Sequence, residues 1–336
     1  MKKELPLSKP IIDCYSKLGM IFSILGLYSE TRTWLLYNYL QLVYYYDIKS
    51  NISWIDLCNY ISPIYAHEWE SCPFIITYGI SYEKFIEYDI KKMIIDSINN
   101  EEYIYINLNT KYIKDYNQKE DFFHDALISG YDLDNDSILC SDYFGIKYQK
   151  KWIDFQDIKN GIIFNEDAKY INVLEKIIFL KYRKPIVFPY YYIGRVDNVA
   201  LKNNLKRLLY PDNNYKDFFN IRSGSECYMG LSVYDNFIRK IKEGVVDITD
   251  NRPFCAIRDH IIILAHITEL LNQYDAIVLD ELKKLAEKMC NMSLKTIILL
   301  ENHKKIEKQV NIEKLSIIIE TIKIKEENYI KEILKH

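Results

Sequence analysis

Residues 123–145 read FHDALISGYDLDNDSILCSDYFG. Two runs rich in apolar and β-branched residues, Phe122–Tyr131 and Ser137–Tyr143, flank the acidic turn DLDND, a pattern that predicts a β-hairpin. A further strand is expected at Gly145–Gln149, and an earlier one at Tyr103–Leu108, where YIYINL is β-branched and aromatic. Helices are expected on both sides of this block. Leu18, Ile21, Phe22 and Leu25 fall on one helical stripe within 14–28, with Asp13 placed to cap it. Further helices are predicted over Thr31–Tyr46 and Tyr82–Ile98, with a short one at Trp152–Ile158. Beyond it come a strand at Ile186–Ile193 and a helix from Asp197 through Leu209. From Glu226 the pattern is helical: Glu226–Glu243, Pro253–Tyr274, Asp275–Asn302 and Lys304–Lys335. The fold class that follows is α+β, an antiparallel sheet with an N-terminal helix and a helical C-terminal region. The expected domains are 1–165 and 166–336.

A cysteine, a histidine and an aspartate stand at telling places in that scheme. A thiol is a useful nucleophile as its thiolate, and a helix N-terminus or a neighbouring imidazole favours that form. Cys14 lies at the expected start of the first helix, His124 on the first strand of the hairpin and Asp142 at the end of the second. Adjacent strands set His124 and Asp142 side by side, with the acid orienting the ring. The order Cys, His, Asp is the one papain-like enzymes use. Asp125 and Asn107 stand open as alternatives to Asp142. A lone cysteine at a helix start is commonly a small buried residue, so the joint arrangement carries the reading.

The segment DCYSKLGMIFSILGLY resembles the opening helix of the C39-like peptidases and of the butirosin-biosynthesis acyltransferase family. The hairpin, continued by KWIDFQDI, resembles their block of His, apolar run, Gly-Tyr-Asp, turn, strand, Asp, then Trp and Phe. The C-terminal segments GSECYMGLSVYDNFIRKI and RPFCAIRDHIIILAHITELL resemble a helical portion found in the butirosin type and not in true C39 peptidases. The resemblance implies a papain-like fold, with Cys14 as nucleophile, His124 as base and Asp142 as orienting acid. Gly130, Tyr131 and Asp132 match the structural turn. Relatives of the butirosin type move an acyl chain from a carrier-protein thioester to an amine during antibiotic assembly. A related homologue makes the amide bonds of closthioamide with a short diamine. The implied partners are therefore an acyl or peptidyl carrier protein, whose phosphopantetheine carries the donor, and a small amine or diamine, with no cofactor of the protein's own. C39 peptidases carry a Gln shortly before the Cys, and Ser8, Lys9 and Pro10 stand there instead. That departure tells against proteolysis and leaves the second oxyanion donor unnamed. The alternatives are a cysteine peptidase or thioesterase with the same triad, or a non-catalytic binding module.

Other features are weaker. Asp132, Asp134 and Asp136 alternate like a calcium loop, but Ser137 replaces the sixth-position Gly and Tyr143 the twelfth-position Glu, so a turn is expected. Cys58, His67 and Cys72 lack the paired spacing of a zinc site. Cys227, after SGS at an expected helix start, is the rival nucleophile. His260 and His266 are expected in core or surface duty, and Tyr190, Tyr191 and Tyr192 are explained by composition as well as by a channel. The seven cysteines are singly scattered, which fits a reducing compartment, and no apolar run reaches signal-peptide or membrane-spanning length, so a cytoplasmic location is expected. A net charge of −3 gives no electrostatic footprint for nucleic acid. Lys181, Arg183, Lys184, Lys202, Lys206 and Arg207 could receive an acidic carrier protein, though a solvated charge run accounts for them too.

Overall fold

A computed structural model describes residues 1–50, 52–58, 69, 72–145, 147–163, 176–184, 197–211, 225–246, 250–301 and 305–335. It is α+β, with antiparallel sheets and a helical C-terminal region. The chain divides into two compact units, 1–31 with 65–193 and 32–64 with 194–336. This differs at two places from the expected division at 165. The strand at Lys176–Tyr182 completes the first unit's sheet, and the second unit takes in a stretch before residue 65.

The first unit contains β1 (Lys2–Glu4), α1 (Ser16–Leu25), β4 (Ile75–Ser81), α3 (Tyr82–Glu87), α4 (Ile90–Asn99), β5 (Tyr103–Asn109), β6 (Phe123–Asp132), β7 (Ser137–Phe144), β8 (Lys147–Asp154), α5 (Phe155–Ile163) and β9 (Lys176–Tyr182). The sheet order is β4-β9-β5-β6-β7-β8, and β1 pairs with the far end of β6. The central strands are apolar on both faces because helices cover both: β5 is buried along its whole length. Ile90, Ile94 and Ile98 of α4 are buried at helical spacing.

The hairpin of β6 and β7 forms where the sequence puts it. Its turn is closed by Asp132, whose carboxylate accepts from the Asp134 and Asn135 main-chain N–H groups and from Asn135 Nδ2. A bulge falls between Ile128 and Gly130. A Cβ at Gly130 would lie 2.7 Å from the Lys3 carbonyl oxygen, so the close approach of β1 requires glycine there. Tyr131 hydrogen-bonds to Asn99 Oδ1 at 3.1 Å and ties the hairpin to α4.

The second unit holds α2 (Arg32–Asn38), β2 (Gln41–Asp47), β3 (Ile52–Cys58), α6 (Asn198–Leu209), β10 (Ser225–Met229), α7 (Ser232–Lys242), α8 (Arg252–Leu270), α9 (Ala276–Glu301) and α10 (Lys305–Lys335). Its sheet order is β10-β2-β3, antiparallel throughout.

Several sequence expectations give way to tertiary context. The helix expected over 31–46 stops at Asn38, and QLVYYYD becomes a strand paired on both sides. The helix expected over 226–243 starts at Ser232. Before it, Gly230 takes φ +59 where a Cβ would strike the Leu208 carbonyl oxygen at 2.4 Å, so the chain turns sharply out of β10. The helix over 82–98 breaks at Tyr88, because Asp89 starts a new helix by accepting from the Lys92 N–H. Trp152 lies in β8, which runs on to Asp154 by pairing with β7. The strand expected at 186–193 and the tyrosines 190–192 lie outside the described residues. Among the described residues no helix is long and apolar enough to cross a membrane.

Candidate active site

β6 and β7 pair from Leu127↔Ser141 inward to the turn, and beyond that point each strand keeps only its outer neighbour. His124 lies in the opened end. Its Nδ1 lies 2.8 Å from Asp142 Oδ2, so the ring bridges the gap between the two strands. Asp142 has a fully buried side chain, whereas the His124 side chain retains 29% exposure. Phe122 stacks on the imidazole with centroids 5.7 Å apart. With Nδ1 committed to the carboxylate, Nε2 is the nitrogen placed to move a proton.

Tyr116 is the residue the sequence reading missed. Its hydroxyl donates to Asp142 Oδ2 at 2.5 Å, and its ring packs on Phe144 at 4.7 Å. Burial, then the Asp142 charge, push the Tyr116 phenol well above its usual range, so it remains a donor. Asp142 Oδ1 is buried with no hydrogen-bond partner among the described atoms. For His124, burial works against the charged form, but the hydrogen bond and charge of Asp142, with Asp125 behind them, prevail. For Asp142, burial raises the carboxyl against the opposing pull of His124, Tyr116 and the Tyr143 main chain. Two donors converge on Asp142 Oδ2 and favour its anion, and that anion holds the His124 imidazole up.

Asn107 and Asp125 bond to each other across β5 and β6 at 3.1 Å. Asp142 is thus the carboxylate in hydrogen-bond contact with the ring, while Asp125 acts on it through its charge and its main chain.

Cys14 is buried at 2% exposure. It lies two residues before the first residue of α1 and not at the helix start, because α1 is entered through Tyr15. The Tyr15 carbonyl accepts from the Leu18 and Gly19 N–H groups, and Asp13 is not the cap. The Asp13 carbonyl instead accepts a hydrogen bond from the Tyr143 hydroxyl. Tyr143 follows Asp142 on β7 and, by strand alternation, projects from the other face, where it meets Tyr148. Gly19 lies against the Tyr148 ring, 2.9 Å from where its Cβ would be. Consecutive residues of one strand therefore contact both candidates, Asp142 the His124 ring and Tyr143 the main chain next to Cys14. Ser8, in the region of the missing Gln, serves α1 itself, with its N–H and hydroxyl donating to the Ser23 carbonyl at 2.9 and 3.0 Å.

The remaining candidates fall away from this site. Cys227 lies in β10 opposite Tyr45, a strand position in the second unit and not a helix start. Cys72 is buried, which pushes its thiol up to about 12, while His67 and the Cys58 side chain lie outside the described residues. No group of three or more His, Cys, Asp or Glu able to hold a metal occurs among the described residues. Of the basic residues, Lys181, Arg183 and Lys184 belong to the first unit and Lys202, Lys206 and Arg207 to the second. Tyr116 and Tyr143 carried no sequence signal because the chain has 30 tyrosines. No protein-family model matches the chain, and a comparison with curated proteins finds no match.

Proposed function

We propose that the chain is a papain-like thiol acyltransferase, with Cys14 as nucleophile, His124 as general base and acid, and Asp142 as the residue that orients the ring. The observation that carries this reading is the half-open His124–Asp142 dyad on β6 and β7, tied to the Cys14 segment through Tyr143. In the first step the Cys14 thiolate attacks a thioester carbonyl, the tetrahedral oxyanion collapses, and the leaving thiol takes the proton held at His124 Nε2. In the second step an amine attacks the S-acyl enzyme, His124 Nε2 accepts the amine proton, and the amide leaves with Cys14 restored as thiolate. Asp142 holds Nδ1–H throughout and stabilises the imidazolium. The proposed donor is an acyl chain on the phosphopantetheine of a carrier protein, the acceptor a small amine or diamine, and the setting natural-product assembly in the cytoplasm.

The test is incubation with an acyl-S-pantetheine thioester, with and without a diamine, followed by intact-protein mass spectrometry. The reading expects an acyl adduct that Cys14→Ala abolishes and that the diamine discharges as an amide. An adduct discharged equally well by water would replace transfer with thioester or peptide hydrolysis. A chain that forms no adduct with carrier-bound or pantetheine-bound donors would overturn the enzyme reading in favour of a binding module.

A further inference from the structure

A second reactive arrangement lies wholly in the second unit and owes nothing to the Cys14 reading. Cys255 stands in the first turn of α8, a 19-residue helix, and Cys290 lies on α9, which packs beside it. Both are thiols, Cys255 partly exposed and Cys290 buried. Cys290 Sγ donates to the carbonyl of Phe254, the residue before Cys255, at 3.3 Å, which sets the two thiols side by side, and each acts on the other.

Their surroundings are asymmetric. Asn251 Nδ2 donates to Cys255 Sγ at 3.1 Å. The amide is oriented for this by Ser293, whose hydroxyl donates to Asn251 Oδ1. Arg258, one helical turn beyond Cys255 and ion-paired with Asp259 at 2.7 Å, places a cation in range of both sulfurs. A helix N-terminus, an amide N–H and a guanidinium all favour negative charge on the Cys255 sulfur. Cys290 has the opposite setting. The neighbouring Cys255, then burial, with Glu287 adding to them, push its thiol far up, so it keeps its proton.

We propose that Cys255 and Cys290 form a peroxide-sensitive dithiol, oxidised to a disulfide that joins α8 to α9, with Cys255 as the attacking sulfur. The Cys255 thiolate attacks one oxygen of hydrogen peroxide and breaks the O–O bond, giving a sulfenic acid and hydroxide, which takes a proton to become water. The Cys290 sulfur then attacks the sulfenic sulfur and expels its hydroxyl, which leaves as a second water with the Cys290 proton. Two thiols and one peroxide thus give one disulfide and two waters.

The full chain is treated with hydrogen peroxide, alkylated, digested without reduction and mapped by mass spectrometry. The expected product is a Cys255–Cys290 linked peptide, with an intact mass lower by two hydrogens and reversed by dithiothreitol. Cys290→Ser should stop at a sulfenic acid on Cys255 that dimedone traps, while Cys255→Ser should leave Cys290 a thiol. Cys255 should react about 10-fold faster than Cys227, another partly exposed thiol. Accumulation of dimedone-trapped Cys255 with Cys290 present would overturn the proposal. So would oxidation of Cys227 ahead of Cys255.

Discussion

Two histidine–carboxylate pairs among the described residues, one half-open and one buried, are built to opposite specifications. His124 meets Asp142 through one nitrogen at 2.8 Å and keeps 29% of its side chain exposed. His260, on α8, is fully buried and uses both nitrogens: Nδ1 reaches the Leu40 carbonyl at 2.7 Å and Nε2 reaches Glu326 at 2.6 Å. A carbonyl can only accept, so the His260 Nδ1 carries a proton, and one further proton lies between Nε2 and Glu326. The Glu326 carboxylate also accepts from Tyr234 at 2.6 Å. Every polar end of that second group is satisfied, which makes it a strut between α7, α8 and α10. The first pair stands half-exposed at an opened strand end, where a substrate can reach it, which is what proton transfer needs.

The largest expected effects separate the two pairs by what each loss damages. His124→Ala should slow acyl-adduct formation by at least about 10³-fold, as loss of a triad member does. His260→Ala should leave Glu326 buried without its partner and cost about 3–5 kcal/mol in urea unfolding. The rate of adduct formation and the unfolding midpoint, measured on both variants, check this crossed pattern. If His260→Ala stops the chemistry under folding conditions while His124→Ala spares it, the assignment of roles is reversed.

Asp142→Asn comes next, because it keeps the shape and removes the charge. It should cost about 10²–10⁴ in rate. It should also move His124: burial, which alone works downward, then faces only the charge and main-chain hydrogen bond of Asp125, so the imidazole should titrate lower than in the wild type by NMR. The linkage follows in sign. A histidine whose folded value lies above its unfolded 6.5 contributes stability that is complete below 6.5 and lost as pH rises through the folded value. The wild type's advantage over Asp142→Asn should therefore shrink across that window. An advantage that grows with pH would show that His124 is held neutral instead.

The legibility of the two regions in the sequence differed for physical reasons. The hairpin could be read because its signals are local: apolar and β-branched runs along β6 and β7, and between them an acidic turn whose first aspartate closes it. His124 and Asp142 came with it, since strand pairing fixes which residues are neighbours. What stayed hidden depends on long-range placement. QLVYYYD is a strand because β3 and β10 flank it, and nothing within the segment announces either partner. His260 and Glu326 are 66 residues apart and meet only because two helices pack side by side. Tyr116 reaches Asp142 from a 3-10 turn whose sequence, KDY, says nothing of a hydrogen bond.

The smallest effects compare the two tyrosines that brace the carboxylates. Tyr234→Phe removes the donor to Glu326 at a fully buried site and should cost about 1.5–3 kcal/mol in unfolding, with adduct formation unchanged. Tyr116→Phe removes the donor to Asp142 and should cost less than about 10-fold in adduct formation, because His124 still satisfies Oδ2. Its more telling consequence concerns the proton. With Tyr116 gone, the carboxylate loses a donor that steadied its charge and leans harder on the imidazole, so His124 should titrate higher than in the wild type, opposite in sign to Asp142→Asn. A downward shift in Tyr116→Phe would mean that the tyrosine, and not the histidine, keeps Asp142 ionised, and that the dyad works only as a group of three.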